Sequence, residues 1–209
     1  MDKDKLALMQ VAQPSQPRFM TVDEWRELED HSEIKHEYID GQIYAMAGGT
    51  LAHSFVAVNV VALLKSILHG RSCRAYNSDA AARLSPTRYT YPDTTVTCDE
   101  RDRPTTKLRE IKTPRVVVEV LSDTTEAYDR GMKFGFYREC PHVQEYVLVS
   151  TKYQLVEVFR RTPQGWTEYH VYGPGDEVEL TSIDVHLLLA DLYEDTDVPE
   201  SLDIPEGEV

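Results

Sequence analysis

A short apolar run with one acid near its centre constrains the fold of this chain more than any other feature. The run reads Pro114-Arg115-Val116-Val117-Val118-Glu119-Val120-Leu121. Because β-branched residues favour extended backbone, it predicts a β-strand. A carboxylate inside such a strand is costly to bury. Glu119 is therefore expected to be neutralised, hydrogen-bonded or bound to a metal ion.

A second acid stands at the start of the strand predicted at 93–98. Asp93 follows Pro92, whose fixed φ suits the first position of a strand. Carboxylates from neighbouring strands can supply oxygen ligands to Mg²⁺, which makes bound water a better nucleophile. Lys133, on the next predicted helix, could stabilise charge or help to orient and deprotonate that water. Together these residues predict a metal-dependent hydrolytic site.

Each of these residues also has a purely structural interpretation. Asp93 could be a turn-flanking acid, and Glu119 could be paired with an arginine. Lys133 lies four residues after Asp129, so an ordinary ion pair along the helix would account for it. The chain contains no zinc-binding histidine helix, no Gly-x-Ser-x-Gly motif and no phosphate-binding glycine-rich loop.

Three further polar residues have two interpretations each. Glu37 lies in the charged run 33–40, where an exposed position is the simplest explanation. His53 begins a long predicted helix and could be a surface residue or a cap. Asp79 follows Asn77-Ser78 and fits a turn.

Length and charge suggest one domain with two polar ends. The 209 residues suit a single domain. Residues 1–18 lack hydrophobic periodicity and are expected to form a flexible N-terminal arm, followed by a domain over 19–193. The segment 194–209 carries seven acids and no base, which is half of the net charge of −14. It is predicted to be a disordered acidic tail. The remaining negative charge disfavours non-specific binding to a polyanion.

The cysteines and the lengths of the apolar runs indicate the cellular compartment of the protein. Cys73, Cys98 and Cys140 are odd in number and widely spaced, and are expected to be buried free thiols in a reducing cytoplasm. No apolar stretch reaches the ~18 residues of a membrane span, and the first residues do not resemble a secretory signal. A cytoplasmic protein is therefore expected.

Local patterns predict most of the elements. Thr21 and Glu24 form a capping box for a helix over 22–29, and Asp40-Gly41 predicts a hairpin turn. Longer helices are expected over 53–69, ending before Gly70, and over 124–138. The first of these would bury Phe55, Val56, Val60, Leu63, Leu64 and Ile67. Strands are expected near 73–77, 81–84, 93–98, 116–121, 145–150, 155–160 and 166–172, with a strand or helix at 183–193.

Several short motifs in this order resemble those of the Uma2 family of restriction-endonuclease-like proteins. They are Glu37-Tyr38-Ile39-Asp40-Gly41, Tyr91-Pro92-Asp93, Val118-Glu119-Val120-Leu121-Ser122, Thr125, Asp129, Lys133, Tyr137 and Glu145-Tyr146. The resemblance covers residues 21–193. It implies an α/β (α+β) fold of the PD-(D/E)-x-K nuclease superfamily, with a mixed β-sheet core flanked by helices. It further implies that Asp93 and Glu119 bind the metal and that Glu37 is the additional acid.

One position departs from the superfamily pattern. The lysine expected two residues after Glu119 is replaced by Leu121, and Lys133 matches a lysine that has moved to the following helix. The resemblance implies an endonuclease that uses Mg²⁺ or Mn²⁺ to hydrolyse phosphodiester bonds of DNA. Two alternatives remain open, an inactive nuclease-fold protein serving as a nucleic-acid binder or oligomeric scaffold, and a hydrolase of smaller phosphoesters.

Self-association is also expected. The predicted strands 146–149 and 155–159 are apolar enough that an exposed edge would need covering. The family resemblance implies a homodimer, because a two-fold arrangement matches the symmetry of duplex DNA.

Overall fold

The structure, a computed structural model, describes residues 19–46, 48–103, 105–106 and 108–201. The predicted N-terminal arm and residues 202–209 of the predicted tail lie outside these ranges. The helices are α1 (Val22–His31), α2 (Leu51–Ile67), α3 (Glu126–Tyr128), α4 (Phe134–Glu139) and α5 (Leu189–Leu192). The strands are β1 (His36–Ile39), β2 (Gln42–Ala45), β3 (Arg74–Asn77), β4 (Ala81–Ser85), β5 (Arg88–Thr90), β6 (Thr94–Thr97), β7 (Glu110–Ile111), β8 (Val116–Val120), β9 (Glu145–Val149), β10 (Val156–Thr162), β11 (Gly165–Tyr172), β12 (Glu177–Leu180) and β13 (Val185–Leu188).

A mixed six-stranded sheet forms the centre of the fold. Its order is β11-β10-β9-β8-β6-β3, with β8 parallel to β9 and antiparallel to β6. Every residue of β8 is buried. This agrees with an apolar strand that is covered on both faces by other layers. The mixed sheet flanked by helices confirms the predicted fold class.

A second, five-stranded sheet supplies the other wall of the candidate site. Its order is β2-β1-β5-β4-β7, and β12 and β13 form a separate pair. Asp40 and Gly41 join β1 to β2 with φ of 50° and 93°. Positive φ at both central residues matches the turn that suits a two-residue hairpin, which confirms the Asp-Gly prediction. Three strands, β5, β7 and β12, were not predicted from the sequence.

The two long helices begin close to where the sequence predicts. Thr21 and Glu24 form the predicted capping box of α1. Val56, Val60 and Leu64 of α2 are buried in the cluster that includes β8. The prediction that Phe55 and Ile67 share this face is wrong, since both are exposed. Phe55 precedes Val56 and so lies about 100° further round the helix.

The helix predicted over 124–138 is not continuous. A π-helical turn over Asp129–Lys133 separates α3 from α4. Both Asp129 and Lys133 are buried by this turn. Such wide turns are frequent at functional sites.

The prediction that all three cysteines are free is wrong for two of them. Cys73 and Cys98 form a disulfide, whereas Cys140 is free and buried. The antiparallel pairing of β3 with β6 brings Arg74 opposite Thr97. Cys73 immediately precedes β3 and Cys98 immediately follows β6, so the same register brings the two cysteines together. A separation of 25 residues gave no sign of this contact. The disulfide removes the cysteine argument for a reducing compartment.

Ordered contacts continue beyond Tyr193, the predicted end of the domain. The side chain of Asn59 donates a hydrogen bond to the carbonyl of Glu194. Gln154 donates to the carbonyls of Val198 and Pro199, and Val198 is buried. The first half of the predicted tail therefore lies against the domain.

The strand-edge argument for self-association is wrong. The strands β9 and β10 lie inside the six-stranded sheet, where each has a neighbour on both sides. Within the described ranges, no helix combines the length and apolar character needed to span a bilayer.

Candidate active site

Asp93 and Glu119 meet because of the register between β6 and β8. Thr94 is paired with Val118 in this antiparallel ladder. Continuing the register by one residue places Asp93 opposite Glu119, so the two carboxylates share one side of the sheet. Both line the same cleft. The structure therefore places the two acids that the sequence singled out side by side, and their role stays a prediction.

Each of these carboxylates has one oxygen held by the protein. Asp93 Oδ2 accepts a hydrogen bond from the backbone N–H of Val120 at 2.8 Å. Glu119 Oε1 accepts from the Tyr137 hydroxyl at 2.6 Å and lies 2.9 Å from Lys133 Nζ. In the part of the chain that the structure describes, no hydrogen bond or ion pair engages Asp93 Oδ1 or Glu119 Oε2. One oxygen of each acid therefore remains available to a ligand.

Lys133 reaches the strand acids from the π-helical turn. Its Nζ lies 2.9 Å from Glu119 Oε1, 3.1 Å from Glu37 Oε1 and 3.7 Å from Asp129 Oδ1. Burial alone would lower the pKa of Lys133, but the charges of Glu119, Glu37 and Asp129 outweigh it and raise that pKa. The ammonium group is therefore a permanent cation of the site. Its helical pairing with Asp129 is only one of three ion pairs.

Glu37 enters from the second sheet, on β1, and is buried. Its Oε1 accepts from the Tyr91 N–H at 3.4 Å, in addition to the ion pair with Lys133. Its Oε2 accepts from the Tyr128 hydroxyl at 3.4 Å. The exposed position that composition favoured for Glu37 is wrong. Both of its oxygens are already engaged, which distinguishes it from Asp93 and Glu119.

The cluster carries more negative than positive charge. Burial raises the pKa of Glu119 to about 8, Lys133 opposes this shift, and the charges of Asp93 and Asp129 add to it. Burial likewise raises the pKa of Asp129. Because one buried lysine faces several acids, a further cation would relieve their repulsion.

Sequence reasoning undervalued His53 and Asp129. His53 lies in the first turn of α2, with Nε2 at 3.4 Å from Asp93 Oδ2. A hydrogen bond to Asp93 raises the pKa of His53 despite its burial. Gly49 is the local feature next to this histidine, since a Cβ at Gly49 would lie 2.7 Å from His53 Nδ1. Asp79 is exposed and paired with Lys35, as expected of a turn acid.

A cleft of about 420 Å³ opens above these acids. Its lining combines charged and apolar side chains. The residues are Glu37, Tyr44, Ala45, Met46, Gly48, Gly49, His53, Tyr91, Asp93, Glu119, Val120, Ser122, Thr124, Thr125, Tyr128, Asp129, Met132 and Lys133. This volume suits a small ligand or one unit of a polymer.

The acids of the cleft offer oxygen donors to a metal ion, but they do not form a complete ligand set among the described residues. Within the described ranges, no group of three or more His, Cys, Asp or Glu side chains is arranged to hold a metal. The predicted triad of Glu37, Asp93 and Glu119 is therefore not pre-assembled, because Glu37 is turned towards Lys133. The unengaged oxygens of Asp93 and Glu119 are hard donors of the kind that Mg²⁺ or Mn²⁺ prefers.

Comparison with known proteins identifies the family. The family model Uma2, described as putative restriction endonuclease, matches residues 22–190. The chain belongs to the Uma2 family. The resemblance drawn from the short motifs is thereby confirmed.

Relatives of this Uma2 protein share most of its length. An uncharacterized protein of Synechocystis is 40% identical over 175 residues, covering 83% of this chain and 91% of the relative. A second uncharacterized Synechocystis protein is 28% identical, covering 78% of this chain and 94% of the relative. The crystal structure of a putative nuclease belonging to DUF820 from Anabaena variabilis matches with a TM-score of 0.68 at 23% identity. That match covers 83% of this chain and 97% of the other and supports the same fold.

Proposed function

We propose that this Uma2 protein is a nuclease that hydrolyses phosphodiester bonds of DNA with the help of Mg²⁺ or Mn²⁺. The observation that carries the proposal is a pair of oxygens in one cleft, Asp93 Oδ1 and Glu119 Oε2, that no residue described by the structure engages. The family description and the nuclease title of the Anabaena variabilis structure support the same class of reaction.

Asp93 and Glu119 would hold the metal ion. When bound, the ion would polarise the phosphate and lower the pKa of a bound water. The Val120 N–H and His53 orient Asp93, and Tyr137 orients Glu119. Such hydrogen bonds keep each free oxygen directed into the cleft. Glu37 as a third ligand remains a prediction, which would require it to release Lys133 or Tyr128.

Lys133 would serve as the fixed positive charge of the site. It is buried and held between Glu37 and Glu119 at 3.1 and 2.9 Å. A cation fixed beside the reacting phosphate stabilises the negative charge that develops there without the cost of reorganisation. The lysine on the helix thereby takes the place of the strand lysine that Leu121 replaces.

Plasmid nicking tests the proposal. We expect the wild-type protein to convert negatively supercoiled plasmid, in which strand separation is favoured, to the open-circular form with Mn²⁺ or Mg²⁺, and not with EDTA. Glu119→Gln keeps the shape of the side chain but removes a ligand charge. Since the loss of groups that merely orient ligands costs about 10- to 100-fold, we expect at least about a 100-fold slower reaction. Asp93→Asn should slow plasmid nicking by a similar factor.

The control is Glu157→Gln, another buried strand glutamate, which lies outside the cleft. It should nick at the wild-type rate. Unchanged nicking by both site variants would refute the assignment of Asp93 and Glu119. If titration calorimetry detects no Mn²⁺ binding by the wild-type protein, an inactive nuclease-fold scaffold becomes the better description.

The proposed homodimer would use an exposed apolar stripe on α2. Leu51, Phe55 and Val58 follow one another at spacings of four and three residues and are all exposed. From Leu51 to Leu64 the helix contains no acid, lysine or arginine. Two copies of a chain with net charge −14 could therefore approach here without facing like charges. We place the dimer contact of a second copy on this stripe.

Light scattering after size exclusion tests the dimer. Wild-type protein should elute with the mass of a dimer. Val58→Glu should weaken the dimer by at least about tenfold, since it buries a charge in the contact. Glu100→Lys, an exposed charge change elsewhere, should leave the mass unchanged. A monomeric wild-type protein at tens of micromolar would rule out this contact.

A further inference from the structure

Tyr44 stands beside the candidate catalytic acids without a ring partner. It lies on β2, an edge strand, and is the cross-strand partner of Glu37. Because directly paired residues project from the same side of a sheet, the register brings the Tyr44 ring to the cleft that Glu37 lines. The ring is 42% exposed. Among the described residues, no aromatic ring stacks on it.

The hydroxyl of Tyr44 makes a hydrogen bond, and its ring is partly exposed to solvent. It donates a hydrogen bond to Gln42 Oε1 at 2.7 Å. Tyr128 lines the same cleft from α3, and the exposed Met132 lies at its rim. A large flat ring with an apolar, polarisable neighbour is a suitable surface for a planar ligand.

The cleft offers little to a DNA duplex. Among the described residues that line the cleft, Lys133 is the sole lysine or arginine, and it already forms ion pairs with the buried Glu37 and Glu119. Duplex DNA is held mainly through phosphate contacts from lysines and arginines. Single strands can instead obtain affinity from bases stacked on aromatic rings, worth a factor of about 5 to 150 per base.

We propose that the cleft selects single-stranded DNA, with one unpaired base stacked on Tyr44 beside the phosphodiester to be cleaved. This inference rests on the proposed nuclease function for the identity of the neighbouring phosphate. The volume of about 420 Å³ suits one nucleotide unit, and Tyr44 stands directly across the strand pair from Glu37. An unpaired base can enter such a cleft, whereas a base inside a duplex must first be unstacked and flipped out.

Binding without cleavage tests the inference. The probe is a 12-nucleotide DNA strand with one 2-aminopurine, used alone or annealed to its complement, in Ca²⁺ and again in EDTA. We expect the single strand to bind at least about tenfold more tightly than the duplex, with fluorescence quenched by stacking. Tyr44→Ala should weaken single-strand binding about 5- to 150-fold and remove the quenching. Tyr44→Phe keeps the ring and should retain both the single-strand affinity and the fluorescence quenching.

The matched control is Tyr169→Ala. Tyr169 is 52% exposed on a strand of the other sheet and does not line the cleft. Its removal should change binding by less than about twofold. Equal binding of single strand and duplex, or wild-type binding by Tyr44→Ala, would overturn the inference.

The two proposals can fail separately. A protein that nicks plasmid but lacks Tyr44-dependent binding remains a nuclease, and the stacking site is then rejected. A protein that binds the single strand through Tyr44 but cleaves nothing keeps the stacking site and loses the nuclease assignment.

Discussion

Replacing Lys133 with methionine is expected to destabilise the protein by about 3–5 kcal/mol. The ammonium group of Lys133 is buried and contacts Glu37 and Glu119. Methionine has a similar length but no charge, so the variant leaves these carboxylates and Asp129 in a buried cluster without their cation. Urea unfolding followed by circular dichroism, in EDTA, measures the loss.

The cost of Lys133→Met should depend on pH. Burial raises the pKa of Glu119 to about 8 and also raises that of Asp129, even with Lys133 present. The native carboxyls therefore bind protons more tightly than the unfolded chain does. Native stability consequently rises as pH falls below these raised pKa values. We expect a smaller loss near about pH 5.5 than near about pH 8.5.

An exposed lysine provides the control. Lys152 is paired with Asp123 and Glu126, but about half of its side chain is exposed. Lys152→Met should destabilise the protein far less than Lys133→Met, because solvent screens the ion pairs of Lys152. If Lys133→Met and Lys152→Met unfold at similar urea concentrations, Lys133 does not stabilise the acid cluster.

Replacing Glu145 with alanine is expected to cost a comparable 3–5 kcal/mol, for a different reason. Glu145 is a motif residue, but it is buried at the start of β9 and does not line the cleft that contains Asp93 and Glu119. Its carboxylate accepts hydrogen bonds from Arg160, from Thr181 and from Ser182. Alanine leaves the buried guanidinium of Arg160 and two backbone N–H groups without this acceptor.

The comparison variant for Glu145 is Glu168→Ala. Glu168 lies 4.0 Å from the same arginine but is half exposed, so less than about 1 kcal/mol should be lost. Urea unfolding gives the stability, and plasmid nicking by the folded fraction gives the activity. A stable Glu145→Ala protein that has lost nicking would assign Glu145 to catalysis and contradict its structural role.

Local sequence patterns predicted elements whose cause is local. The capping box at Thr21 and the Asp40-Gly41 hairpin depend on residues within a few positions of each other. The strand around Glu119 followed from its β-branched composition. By contrast, the helix predicted over 124–138 contains a π-helical turn in which Asp129 and Lys133 are buried, and no local pattern indicated that turn.

The candidate site was predicted in part. Asp93 and Glu119 could be paired from the sequence because Pro92 marked where one strand begins and the valine run marked the other. Glu37 was placed by family resemblance, since its own surroundings in the sequence suggest exposure. His53 could not be chosen, because the contact with Asp93 joins positions that are 40 residues apart.

The sequence by itself determined most of the segments that become strands and helices, that an acid would be buried in β8, and to which family the chain belongs. Only the tertiary structure decided that Cys73 joins Cys98, that Lys133 lies between Glu37 and Glu119, and that Tyr44 faces the cleft. The physical reason is the separation along the sequence over which each kind of interaction acts. Turn, cap and periodicity signals act over a few residues, whereas these contacts depend on strand order and on how two sheets and a helix meet, which no local pattern specifies.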